Sequence, residues 1–254
     1  MRDLGTMLRK EMLETWRTYR FLILAVVFLI FALMSPLFAK LTPTIMKMSF
    51  GSTLALKMPQ PTSADSWTQF YKNMSQLGIF VVAIMFSGTM SQELSKGTLV
   101  NLVTKGLARW TVVVSKYLAL LGQWLVITGT SFLVTWGYTA YYFPDTKSPH
   151  PGAGLIPLLL FGAFFLAVIL CGSTLARNSY GGLLFTAIVV ALLFVVNVFK
   201  KAHDYNPVSL ISDNMALVAG TKSLTDLAPA MIIVGAAAFL LLAWAVVLLN
   251  RRKL

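Results

Sequence analysis

One cysteine, Cys171, and two histidines, His150 and His203, occur in the 254 residues. That excludes a disulfide framework, and three such residues cannot assemble a zinc site of four Cys or His ligands. Charge is scarce as well. Asp and Glu number 9, Lys and Arg 21, and charged residues make up 12% of the chain, against about 25% in an average soluble domain. With 57% hydrophobic residues and a mean hydropathy of +0.75, a soluble globular protein is excluded. No Gly-x-x-x-x-Gly-Lys-Ser/Thr loop, no His-Glu-x-x-His pair and no Gly-x-Ser-x-Gly elbow is present, so ATP binding by the usual loop, zinc peptidase chemistry and serine hydrolase chemistry all lack their residues.

What the chain does have is long apolar runs. A hydrocarbon core of about 30 Å requires roughly 20 apolar residues per helix. Six stretches approach that length without Asp, Glu, Lys or Arg, namely 21–38, 77–91, 117–142, 155–175, 182–199 and 227–249. The second is short and predicts an extension back through Phe70 and Tyr71 or forward through Leu94. The expectation is an all-α integral membrane protein forming one transmembrane domain over 1–254. An even number of spans puts both termini on one side. Thirteen of the 21 Lys and Arg fall in 1–20, 92–116, 176–181 and 250–254, which predicts that these segments and both termini are cytoplasmic. The basic excess is thus explained by topology and not by nucleic acid. Asp3, Glu11 and Glu14 precede the first apolar run, and Ala39-Lys40-Leu41 is a poor cleavage site, so the first span reads as a retained anchor and not as a signal peptide.

Before that span, Leu4, Leu8, Met12 and Trp16 recur every four residues among Arg9, Lys10, Arg17 and Arg20, predicting an amphipathic helix along the membrane surface. A plain charged lead-in to the span is the blander alternative. The strongest polar groups within the spans are Gln123 and Asn197, which disfavours an ion-driven carrier with carboxylates or histidines at the bilayer midplane. Thr128, Ser131 and Thr135 share one face of the third span and suit either helix packing or a polar path. Ala163, Ala167 and Cys171 in the fourth span, and 235–238 in the sixth, suggest close helix approach. The two histidines read as solvated loop residues, and the twelve methionines as packing rather than copper ligands.

The segment 91–116 is too long for a minimal turn. Thr98 can cap a short helix whose Leu99, Leu102 and Val103 share a face, and Lys105-Gly106 reads as its end. Such a helix either seals the bundle or docks in a groove of a cytoplasmic partner. Glu93, Gly97-Thr98, Leu102, Arg109 and Lys116, between the second and third of six spans and after an amphipathic helix, resemble the membrane subunit of type-2 ATP-binding cassette (ABC) exporters.

The resemblance implies a permease subunit that pairs with a second one, as a homodimer, each docked on a separate nucleotide-binding subunit holding ATP and magnesium. Residues 1–20 would be the elbow helix and 97–105 the coupling helix. Contact with the ATPase would involve Glu93, Gly97, Thr98, Leu99, Leu102, Val103, Lys105 and Arg109. The loop between spans five and six would form a short re-entrant or helical cap over the exit, with 208–211 and 215–218 as its apolar stretches. By position alone, Phe80, Phe86, Phe194 and Asn197 would lie near the substrate path. No catalytic residue, cofactor or metal is expected in this chain. The cargo would be apolar or amphipathic, a peptide or a lipid-like molecule, exported across the cell's inner membrane. A non-transporting scaffold or sensor with a cytoplasmic partner is the alternative.

Overall fold

The computed structural model describes residues 2–50, 60–99, 104 and 106–252. It is all-α, with no strand among the described residues and six helices long and apolar enough to cross a membrane. The chain is therefore a multi-pass membrane protein. An N-terminal helix, Arg2–Arg17, precedes the spans, which are Arg20–Ile45, Ser63–Ser95, Arg109–Tyr142, Leu155–Leu175, Ser179–Asn197 and Ala228–Arg251. Spans one, two, three and six continue past their charge-free runs and carry charged residues toward their ends, whereas spans four and five contain none.

Span four is the centre of the bundle. Its helix carries almost no polar group, and Leu158, Phe161, Leu166, Ala167, Val168, Ile169, Leu170 and Cys171 are all nearly or fully buried. Span six packs along it through residues spaced by four and seven, Ala230, Val234, Ala238, Ala245 and Leu249, a single helical stripe. Of the small residues in 235–238, only Ala238 is fully in that contact. Gly235 faces outward with no neighbouring atom within 4 Å of where a Cβ would stand, which corrects its assignment to close helix approach. Span three docks on span four where Trp124 covers Gly162. A Cβ at Gly162 would lie 2.1 Å from the Trp124 ring, so only glycine admits the indole there.

The second span begins earlier than its apolar run. The extension expected through Phe70 and Tyr71 or through Leu94 occurs at both ends and reaches back to Ser63, with Trp67, Phe70, Tyr71 and Met74 buried against span one and Phe132. The polar residues of these first turns are satisfied inside the bundle. Ser66 and Thr139 share a hydrogen bond of 2.7 Å, and Asn73 donates to the Ser35 hydroxyl at 3.2 Å. A π-turn at Met74–Gly78 interrupts the helix, and it breaks again between Phe86 and Ser91. There the Ser173 hydroxyl of span four accepts from the backbone nitrogens of Met90 and Ser91, at 2.8 and 3.1 Å.

The polar face of span three lies inside the bundle, with the Thr128 and Ser131 hydroxyls unpaired among the described residues. Thr128, Ser131 and Thr135 are fully buried, and Thr135 donates to the Ala32 carbonyl of span one at 3.1 Å. Opposite the chain termini, three short helices, Lys200–His203, Ser209–Ser212 and Asn214–Val218, form the connection between spans five and six. Val208, Leu210, Leu217 and Val218 are buried beneath it, so this loop is a folded cap, as its apolar stretches suggested. His203 is part of that cap: it lies 3.0 Å from Asp213, which also receives Lys222 at 2.8 Å. The reading of His203 as a merely solvated residue is corrected accordingly.

Candidate functional site

The ends of spans two and three meet the N-terminal helix in a cluster of five charges. Lys116, about two turns into span three, is 2% exposed. Its ammonium donates to both oxygens of Glu11, at 3.0 and 2.9 Å, and lies 3.0 Å from Glu93 Oε1. Lys10 reaches the same group from the other side, 2.6 Å from Glu93, 3.0 Å from Glu11 and 2.9 Å from Glu14. Three segments far apart in sequence are thus pinned by two ammonium groups between three carboxylates.

Local structure places each member. Lys10, Glu11 and Glu14 sit on the face of the N-terminal helix that also carries the buried Met7, three and four residues apart. That face turns inward, while Met12 and Trp16 of the predicted apolar stripe are exposed, at 57 and 67%, on the side available to a membrane surface. The helix ends at Tyr19, whose φ of 57° lies in the left-handed region and turns the chain into span one. Burial depresses the pKa of Lys10, but its hydrogen bond to Glu93, the Glu11 charge and its hydrogen bond to Glu14 outweigh it, raising it above the usual lysine range. Lys10 is therefore charged at any physiological pH.

Glu11, Glu14 and Glu93 bring ligand atoms within 4.8 Å of one another, a spacing that could hold a cation. The Lys10 ammonium bonds to all three and occupies the cation's role as a tethered charge. The cluster is an electrostatic link between the N-terminal helix and the ends of spans two and three.

A second basic residue closes the same end of the bundle. Arg109 opens span three and donates to the carbonyls of Leu249, Asn250 and Arg252, at 2.5, 2.9 and 3.1 Å, capping the C-terminal end of span six. Arg252 in turn donates to the carbonyls of Leu175 and Ala176, capping span four. These carbonyls have no partner inside their own helices, and a cation there also meets the negative end of the helix dipole. Arg109 is consequently engaged with its own chain.

In the connector, Gly97 and Gly106 have φ of 67° and 89° and bracket a segment in which Thr98, Leu99 and Thr104 are helical. Leu102, Val103 and Lys105 lie outside the described residues. The Thr98 hydroxyl donates back to the Glu93 carbonyl at 3.2 Å, and the backbone nitrogens it was expected to cap lie outside the described residues. Leu99 is fully buried with Met7, Met90, Val112, Val113 and Leu249. Its assignment to an outward docking face is corrected: Leu99 anchors the connector to the bundle, and the apolar surface it offers is already covered.

The four residues expected near a substrate path do not share one cavity. Phe86 is buried and lines an inner cavity of about 510 Å³ beside the charged cluster. Phe194 is exposed and lines an outer groove of about 250 Å³ between span two and the cap, with Tyr71, Gln76, Ile211 and Met215. Phe80 is exposed on the bundle surface, and Asn197 is half-buried with its side-chain oxygen unpaired among the described residues.

Sequence reasoning missed Lys10, Glu11 and Glu14, which read as the solvated side of a surface helix. The signal lay in Lys116, a lysine at the mouth of a long apolar span with no neighbouring acid, which requires a partner from elsewhere. No protein-family model matches the chain, and no curated protein matches it.

Proposed function

We propose that this chain is the permease subunit of an ABC exporter, working as a dimer with two separate ATPase subunits, with both termini on the cytoplasmic side of the cell's inner membrane. One observation carries the reading. Glu93 and Lys116, on either side of the connector, are bonded to each other and to the N-terminal helix, so the connector is held at both ends by charges inside the bundle. Leu99 adds an apolar anchor. A displacement of 96–108 by a partner would therefore reach spans two and three and the N-terminal helix together and not be lost in a loose loop. That is the property a coupling segment needs.

Export would follow by alternating access, with ATP-driven closure of the partner pair tilting the spans. The weakly buried face of span five, where Leu184, Ile188, Leu192 and Val195 are exposed, is available to a second copy or to lipid. Cargo would be apolar or amphipathic, because no charged residue sits mid-span. Purification of the tagged chain from its native membranes in mild detergent, with mass spectrometry of what remains bound, tests the proposal. A stoichiometric subunit with a phosphate-binding loop is the expected result. A folded chain that purifies without any ATPase would contradict it and favour a scaffold or sensor.

A further inference from the structure

The inner cavity beside the charged cluster contains two polar atoms that the protein leaves unsatisfied. Glu93 is 8% exposed, and while its Oε1 receives both lysines, its Oε2 is buried with no partner among the described residues. Thr89, one turn earlier and 9% exposed, has an unpartnered hydroxyl in the same cavity. A buried carboxylate oxygen without a donor is costly, so this pair calls for a ligand that brings N–H groups. Within the ion cluster Glu11, Glu14 and Glu93 outnumber Lys10 and Lys116 by one, while Arg20 and Lys96 at the rim bring the whole lining to one positive charge in excess, a separation of sign that suits a zwitterion and not a lone cation.

The same cavity is lined by Arg20 and Lys96. Arg20 is the first residue of span one and Lys96 follows the last residue of span two, so both stand at the level where a helix leaves the membrane. Beside it, sharing Thr15, is an apolar groove of about 240 Å³ walled by Met12, Trp16, Phe21 and Val126. An acidic acceptor inside, cations at the span ends and an apolar groove alongside complement a zwitterionic molecule with a primary ammonium, a phosphate and an acyl chain.

We propose that this cavity binds the headgroup of an aminophospholipid of the phosphatidylethanolamine type, its ammonium donating to Glu93 Oε2 and Thr89 Oγ1 and its phosphate meeting Arg20 and Lys96. The cavity volume of about 510 Å³ holds such a headgroup, whereas a single cation would leave most of it unfilled. The inference is independent of the exporter proposal, since it concerns a lipid bound to this chain alone and its test reads no ATPase.

The full chain is reconstituted in nanodiscs of phosphatidylcholine containing one-tenth phosphatidylethanolamine or one-tenth phosphatidylglycerol, extracted gently, and the retained lipid is weighed by native mass spectrometry. Phosphatidylethanolamine should be retained about tenfold over phosphatidylcholine, the ratio for one charge-assisted hydrogen bond. Retention should fall stepwise along the N-methylated series as N–H donors are lost. Thr89→Val, which keeps shape and charge, and Arg20→Gln should each reduce the preference several-fold, so the test does not depend on Glu93→Gln, which disturbs the ion cluster. Soluble phosphoethanolamine should compete only weakly if the acyl groove contributes; strong competition would locate recognition in the headgroup alone and overturn the groove's part. Equal retention of phosphatidylethanolamine and phosphatidylcholine, a preference for phosphatidylglycerol, or full preference in Thr89→Val would overturn the proposal and leave a cavity filled by water or by an anionic headgroup.

Discussion

Lys116 and Glu11 stand 105 residues apart in the chain, yet the buried ammonium of the first donates to both carboxylate oxygens of the second. Desolvating two charges is expensive, and such a pair adds little net stability over apolar side chains of similar volume. Its effect is on register. With Lys10 and Glu93 it fixes how the N-terminal helix sits against the ends of spans two and three, the part of the molecule that the exporter proposal needs to move as one unit.

Removing one partner should expose that dependence. Lys116→Met leaves Glu11 and Glu93 buried without their shared cation and should destabilise the detergent-solubilised protein by about 3–5 kcal/mol in thermal unfolding. Combining it with Glu11→Gln and Glu93→Gln should recover much of the loss. A single-variant cost below about 1 kcal/mol would mean that the cluster is solvated and not a buried node.

The break in span two depends on Ser173. Ser173→Ala leaves the Met90 and Ser91 nitrogens without their acceptor, and should cost about 1–3 kcal/mol. Faster hydrogen exchange should be confined to residues 88–92. Exchange unchanged there would show that the break is held by other contacts.

Gly182, at the start of span five, touches the same region. A Cβ there would lie 2.6 Å from the Ser87 carbonyl and 3.2 Å from the Ser173 backbone, neither of which can rotate away. Gly182→Ala should destabilise by about 1–3 kcal/mol through overpacking, while Gly122→Ala, with open space around it, should be neutral or stabilising.

At the other end of the bundle, Asp145 carries a pH dependence. Desolvation is the largest single influence and opposes its charge, but hydrogen bonds from the Ser63 hydroxyl and the backbone nitrogens of Ser63 and Lys147 together outweigh it and hold its pKa below the usual carboxylate range. A carboxylate depressed on folding stabilises above its unfolded pKa of about 3.9 and loses that contribution as pH falls through the lower folded value. Proteolytic nicking of 143–152 should therefore rise below about pH 4 in the wild type. In Asp145→Asn the nicking should be elevated and flat across the same range; a flat wild-type profile would remove Asp145 as the tie.

The spans were legible because hydrocarbon demands long runs without charge, and five of the six begin and end within a turn or two of those runs. Residues 63–69, beyond the extension through Phe70 and Tyr71, were not, because Ser63 and Ser66 look like loop residues until Asp145 and Thr139 are seen to satisfy them from elsewhere in the chain. Glu93, Arg109 and Lys116 were visible as a spacing around the connector. What they contact was not, since Glu11 and the carbonyls of span six come from opposite ends of the chain. Leu99 failed as a docking residue for a related reason: its helical periodicity defines a face, but only the tertiary packing of Met7, Val112 and Leu249 decides which way that face points.

The most direct test of the exporter reading is ATP hydrolysis by the assembly that purifies with the tagged chain, compared between wild type and Thr98→Arg, at an exposed residue of the connector. The account predicts magnesium-dependent hydrolysis from a bound ATPase subunit in the wild type, and loss of both the subunit and the activity in the variant while the chain itself stays folded in the membrane. Hydrolysis that is absent from the wild-type assembly, or retained at full level with the subunit still bound to the variant, would contradict it.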